Sequence, residues 1–191
     1  MSKVIVFTNL TLDGVMQAPA RPDEDRRGGF EHGGWATPYA AMAEAGESTA
    51  TTSALLLGRR TYEDFYTVWP NRTDNPYTAV LNNTQKYVAS TTLSEPLPWI
   101  NSTLLKGDAA EAVARLKEEL DKDLVIMGSG ELVQSLMRAN LIDEYVLLIH
   151  PLVLGSGRRL FPDGGTFAAL RLVDTKTTTT GVVIATYAAT R

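Results

Sequence analysis

The chain has 191 residues, long enough to bury a substantial core, and its 44% apolar and 21% charged content excludes a disordered tail. A formal net charge of −4 argues against nucleic acid as a main partner, because phosphate backbones call for a basic surface. The absence of cysteine excludes disulfides, a thiolate metal site and a cysteine nucleophile.

Val4 to Leu12 reads as a buried strand that follows the first residues with no signal-peptide architecture, and Asp13-Gly14 ends it in a turn. Residues 17–37 mix glycine, proline and charge without periodicity and read as a long surface loop. A helix is expected from Tyr39 to Glu47. Ala54 to Leu57 is a short apolar run, hence a buried strand, and Gly58-Arg59-Arg60-Thr61 leads from it into the helical-looking stretch Tyr62 to Tyr66. Lys86 to Ser90 is the next strand, and Thr103 to Leu105 a brief one.

Asp108 has the character of an N-cap, with Glu111 three residues on, and Val113, Leu116 and Leu120 then share one helical face. Leu124 to Met127 is a strand and Glu131 to Ala139 a helix with Leu132, Val133, Leu136 and Met137 inward. Tyr145 to His150 is a further strand. Two late strands, Leu170 to Thr177 and Val182 to Ala188, are rich in threonine, as half-exposed strands often are. Strands alternate with helices and then give way to strands alone. The pattern predicts one α/β domain over 1–191, with a mainly parallel central sheet and antiparallel C-terminal strands. No apolar stretch approaches the roughly 20 residues needed to span a bilayer, so a cytoplasmic protein with no membrane partner is expected.

Ligands of open α/β sheets sit beyond the carboxyl ends of the strands, and four such ends carry suggestive chemistry. Gly58-Arg59-Arg60-Thr61 offers free N–H groups, a hydroxyl and two guanidiniums suited to phosphate, or is a surface arginine pair at a turn. Ser90-Thr91-Thr92 supplies hydroxyls, which are also ordinary turn residues. Gly128-Ser129-Gly130 between strand and helix resembles half of a dinucleotide fingerprint, but Val133 stands where the third glycine belongs. Leu154-Gly155-Ser156-Gly157-Arg158-Arg159 could cradle a second anion or form a turn. Together the four point to a nucleotide with at least two phosphates, and Arg59 with Ser90 favours an extra ribose phosphate.

The strand followed by Gly-Arg-Arg-Thr-Tyr-Glu, the later strand ending in Ser90-Thr91, and Val125-Ile126-Met127-Gly128-Ser129-Gly130-Glu131-Leu132 resemble the dihydrofolate reductase-like superfamily. Leu10 to Gly14 and the stretch from Leu141 through His150 to Gly155 are similar to the branch named for the C-terminal reductase domain of bifunctional riboflavin-biosynthesis proteins. The resemblance runs from about residue 3 to residue 188. It implies a three-layer fold around a sheet of about eight strands, with NADPH as cofactor. The pyrophosphate would lie against Arg60, Thr61, Ser129, Gly130 and Glu131, and the 2′-phosphate against Arg59, Ser90 and Thr91. It also implies a cis peptide between Gly128 and Ser129, and a homodimer. The chain departs from the family at two places: Gly128 replaces the glutamate that precedes the riboflavin-type glycine pair, and the stretch Tyr39 to Ala43 lacks the pterin-binding carboxylate of dihydrofolate reductases.

Asp13, at the mouth of strand one, is the candidate catalytic proton donor or substrate anchor, or a turn residue without a role. Glu131 also suits the helix dipole. His32 reads as a solvent-exposed loop residue and His150 as structural; the two build no metal set. The expected activity is NADPH-dependent reduction of a small heterocyclic or carbonyl substrate, resembling 5-amino-6-(5-phosphoribosylamino)uracil reductase or dihydrofolate reductase. The alternative is a non-catalytic nucleotide-binding module.

Overall fold

The computed structural model describes residues 2–45 and 53–190. Its strands are β1 Val4–Thr11, β2 Ala54–Gly58, β3 Lys86–Ala89, β4 Ser102–Leu105, β5 Leu124–Met127, β6 Glu144–His150, β7 Leu170–Thr177 and β8 Val183–Ala189. Its helices are α1 Ala41–Ala45, α2 Arg59–Val68, α3 Tyr77–Asn83, α4 Ala109–Glu119 and α5 Gly130–Arg138. The strand order β4-β3-β2-β5-β1-β6-β8-β7 makes a mixed α/β sheet of eight strands. Among the described residues no helix is long and apolar enough to cross a membrane.

The chain forms two compact units, one of residues 1–5 and 47–142 and the other of residues 6–46 and 143–191. Each is built from two separate stretches, so no single cut in the sequence divides them.

In the first unit β2 pairs in parallel with both β3 and β5, and β3 with β4. Leu55, Leu56 and Leu57 are wholly buried, as expected of a parallel strand covered on both faces, and each stabilises the core by about 1.5–3 kcal/mol. Asp108 caps α4 as its position predicts, its Oδ1 accepting the Glu111 N–H at 2.9 Å. Two lysines lie inside this unit. The Lys86 ammonium donates to the carbonyls of Thr84 (2.7 Å) and Leu81 (2.8 Å) at the end of α3 and lies 4.4 Å from the Trp99 ring centroid. Lys117, on α4, donates to the Leu141 carbonyl at 3.1 Å. Both heads reach backbone oxygens while their stems fill apolar space.

In the second unit β6 and β7 both pair antiparallel with β8, with an irregularity between Leu172 and Asp174. The stretch 17–37, expected as a surface loop, instead carries its own core. Ala18, Phe30 and Trp35 pack with Val15, and a Cβ added at Gly157 would meet Phe30 and Val15 at 2.7 Å. Buried Gln17 supplies polar satisfaction: its amide nitrogen donates to the carbonyls of Asp25 and Arg27, and its oxygen accepts the Arg158 N–H at 2.9 Å. The Trp35 indole donates to the Gln17 carbonyl at 2.7 Å. The helix expected over 39–47 is a 3-10 turn at Thr37–Tyr39, a left-handed Ala40 (φ 49°) and then α1; residues 46 and 47 lie outside the described residues.

Candidate cofactor-binding site

Three of the four strand-end loops converge in the first unit. Parallel pairing sets Gly58 opposite Ala89, so Arg59 and Ser90 leave neighbouring strand ends in the same direction. From β5, Ser129 reaches Gly58: its Oγ accepts the Gly58 N–H at 3.0 Å and lies 2.9 Å from Thr61 Oγ1, which also accepts the Ser129 N–H at 3.1 Å. One serine thus ties the start of α2 to the start of α5.

The backbone makes this tie with two successive left-handed residues, Gly128 (φ 59°) and Ser129 (φ 53°). The cis peptide expected between them is not there; the one cis bond among the described residues is Glu95-Pro96. The positive φ pair turns the chain sharply enough without it. Gly128 suits its place on two counts. Glycine adopts φ > 0 without steric cost, and a Cβ would come within 3.4 Å of the Thr61 side chain.

Neither α2 nor α5 has a capping side chain. Gly58, at the N-cap of α2, has none to offer, and the Ser129 hydroxyl at the N-cap of α5 is turned toward Gly58 and Thr61. By contrast α4 is capped by Asp108. Two helices of ten and nine residues therefore present uncapped first turns close together, where the peptide dipoles favour an anion. Arg60 contacts Glu131 at 3.3 Å across these two helix starts, and Arg59 contacts Glu63 at 3.1 Å one turn along α2. Both pairs are substantially exposed and cost little to rearrange. The Ser90 hydroxyl accepts the N–H groups of Thr92 (3.1 Å) and Leu93 (3.0 Å), which shapes the turn after β3; Thr91 is exposed beside it. Gly58, Arg59, Arg60, Thr61, Ser90, Thr91, Gly128, Ser129, Gly130 and Glu131 thus all lie on three adjacent loops of one unit.

The fourth loop belongs to the second unit, where hydrogen bonds bind it to the turn after β1. Arg159 forms an isolated bridge with Val15, and its Nε donates to the Asp13 carbonyl at 2.8 Å. Asp13 itself accepts the N–H groups of Leu154 (3.2 Å) and Gly155 (2.8 Å) and the Thr11 hydroxyl (2.5 Å). The Thr11 hydroxyl bond and these backbone donors hold the carboxyl below the usual carboxylate range. This geometry suits an ionised carboxylate that fixes the loop after β6, and lends no support to proton donation.

His150 is wholly buried, its Nε2 2.9 Å from Asn9 Oδ1, and burial pulls its pKa down to about 4. It is a structural, neutral imidazole, as its position before Pro151 suggested. His32 is exposed and meets the Phe30 ring edge-on. No group of metal-binding side chains occurs among the described residues. Asn9 and Gln17 went unread in the sequence, although each is a polar residue set in or beside the apolar run of β1.

The strand order and the three converging loops define an α/β protein of the dihydrofolate reductase-like class. The chain belongs to the RibD C-terminal domain family, whose model matches residues 2–184. It is 32% identical over 141 residues to the uncharacterized protein YyaP of Bacillus subtilis, covering 70% of this chain and 72% of that one. It is 29% identical over 181 residues to the uncharacterized protein YwjB of the same organism, covering 91% of each. Among solved structures, a putative riboflavin biosynthesis protein from Shewanella sp. PV-4 shares the fold at a TM-score of 0.70 with 20% identity over 99% of both chains. A diaminohydroxyphosphoribosylaminopyrimidine deaminase/5-amino-6-(5-phosphoribosylamino)uracil reductase from Thermotoga maritima shares it at 0.63 with 13% identity, over 99% of this chain and 57% of that one.

Proposed function

We propose that this chain is an NADPH-dependent reductase of a small heterocyclic or carbonyl compound, of the pyrimidine type named for its structural relatives. The observation that carries the reading is the pair of uncapped helix starts tied together by Ser129. Their first-turn N–H groups suit a diphosphate, with Arg60 and Thr61 on one side and Ser129, Gly130 and Glu131 on the other. Arg59, Ser90 and Thr91 suit the 2′-phosphate, since a guanidinium beside hydroxyls matches a phosphate's acceptors. Bound NADPH supplies a hydride; the protein contributes position and electrostatics. Asp13 serves as an anchor that fixes the loop after β6 and not as the proton donor. A cytoplasmic location accompanies this reading.

Titration with NADPH and with NADH, followed by tryptophan fluorescence, tests it. The expected result is micromolar NADPH binding with NADH much weaker. Binding of neither nucleotide sinks the proposal. Nucleotide binding without turnover of any pyrimidinone or carbonyl substrate would leave the non-catalytic module as the better reading.

We also propose that the active form is a homodimer. Residues 161–177 are exposed almost throughout, including Phe167 (91%), Leu172 and Val173 (51% each). β7 ends the sheet with one edge unpaired, and such edges are normally covered or blunted. Arg171 and Asp174 flank Leu172 and Val173, so this strand is complementary in charge to a second copy running antiparallel to it.

A further inference from the structure

We propose that Asn9 is the hydrogen-bond donor of a binding site in the second unit, one that takes a planar heterocycle through a ring carbonyl oxygen, and that His150 is its positioning residue. His150 is fully buried at the end of β6, and Trp35 and Tyr39 meet its ring edge-on with centroids at 5.2 and 5.1 Å. Among the described residues its Nδ1 is buried without a partner. An unpartnered buried acceptor carries a free-energy penalty, and a phenyl ring would fill the same slot without it. What imidazole adds here is one bond, from Nε2 to Asn9 Oδ1 at 2.9 Å.

That bond fixes the Asn9 amide. A neutral imidazole with its proton on Nε2 donates, so the amide oxygen points at His150 and the amide nitrogen points away. The nitrogen carries two protons, and among the described residues the single contact it makes is to the Met42 sulfur at 3.7 Å, a weak acceptor on a side chain that is 43% exposed. Asn9 itself is half-exposed on an otherwise buried strand. An amide held rigid from below with unspent donors above selects for an acceptor. Half-exposed Tyr39, packed against the His150 ring, and the soft thioether of Met42 beside the Asn9 amide both favour a flat, polarizable face. A ring carbonyl such as that of a pyrimidinone combines the acceptor with that face.

The inference names how the reductase's substrate is held, and rests on that reading only for the choice of probe. The test is titration of the 15N-labelled protein with uracil in the absence of nucleotide, following the Asn9 side-chain amide signals. The wild type is expected to bind saturably at millimolar uracil with those signals shifting. Asn9→Ala should weaken binding by about tenfold or more. His150→Phe should weaken it although the Asn9 amide is intact, and His150→Gln, which restores a donor, should recover part of the loss. NADPH affinity should be unchanged in Asn9→Ala. No saturable uracil binding by the wild type, or wild-type affinity in Asn9→Ala, overturns the proposal. Unchanged affinity in His150→Phe removes the positioning role. Failure of NADPH to bind while uracil still does would count against the reductase reading alone.

Discussion

Ser129 and Thr61 lie 68 residues apart in sequence, and their hydroxyl oxygens are 2.9 Å apart. The same serine oxygen accepts the Gly58 N–H at 3.0 Å. Replacing Ser129 with alanine leaves Gly58 and Thr61 each short of a partner and keeps a side chain in the left-handed region. A loss of about 1–3 kcal/mol in urea unfolding is expected, together with weaker NADPH binding. Ser129→Gly should lose less stability because it relieves the backbone, yet bind nucleotide no better than the alanine variant. Equal stability of Ser129→Ala and wild type would show that the tie contributes nothing.

Arg59 separates NADPH from NADH on the proposed reading. Arg59→Ala should weaken NADPH by about tenfold to a hundredfold and leave NADH unchanged, since a charge-assisted bond contributes about 1.5–3 kcal/mol. Competition fluorimetry with both nucleotides measures the ratio directly. An equal loss for both would move the 2′-phosphate away from this loop.

Asp13 distinguishes an anchor from an acid. Asp13→Asn keeps one acceptor oxygen but turns an amide against the N–H groups of Leu154 and Gly155. It should cost about 1–3 kcal/mol in stability. Turnover at a temperature where the variant is folded should stay within about tenfold of wild type, whereas loss of a true general acid costs about 10²–10⁴-fold.

The His150 imidazole sets a pH dependence. Its folded pKa of about 4 lies below the ordinary histidine value of 6.5, so between those pH values the unfolded chain binds a proton that the folded chain refuses. Stability therefore falls as pH drops from 6.5 toward 4, by up to about 3 kcal/mol, and no further below. The difference in unfolding free energy between wild type and His150→Phe, measured across this window, isolates the contribution. A flat difference would mean that the ring gains a proton as easily folded as unfolded.

Leu172→Glu tests the dimer. Placed on exposed β7, it should leave the fold intact and convert a dimer to a monomer in light scattering. A monomeric wild type would remove the proposal.

Strands such as Ala54–Gly58 and Leu124–Met127 were legible because each is a short apolar run bounded by turn residues; Leu170–Thr177, mostly polar, also matches its expected bounds. Helix α3, Tyr77–Asn83, was not, because it is barely two turns long and its buried positions, Thr78 and Leu81, carry no apolar pattern. Lys86 and Lys117 show why charge alone misleads: each is buried because backbone carbonyls meet its ammonium, a pairing invisible in sequence. The loop chemistry at Arg59, Ser90 and Ser129 could be read from residue types. Which loops meet could not, since that depends on β2 lying between β3 and β5. The core inside 17–37 was hidden by its glycines and charges, with Phe30 and Trp35 too far apart to form a period.

The interleaving of the two units bears on how the chain emerges from the ribosome. All but five residues of the first unit lie in one continuous run, 47–142, so β2, β3 and β5 can pair once that run is clear of the exit tunnel. The second unit must wait for β6, β7 and β8, and its early residues, Asn9 and Trp35 among them, remain without their His150 contacts through most of synthesis. Long-range closure of this kind is slow, which makes the 6–46 segment the part of a nascent chain most open to chaperones and proteases. Stalled ribosomes from which residues 1–142 have emerged, with the following residues still in the tunnel, should show protected amides at Leu55 and Val125 and none at Trp35.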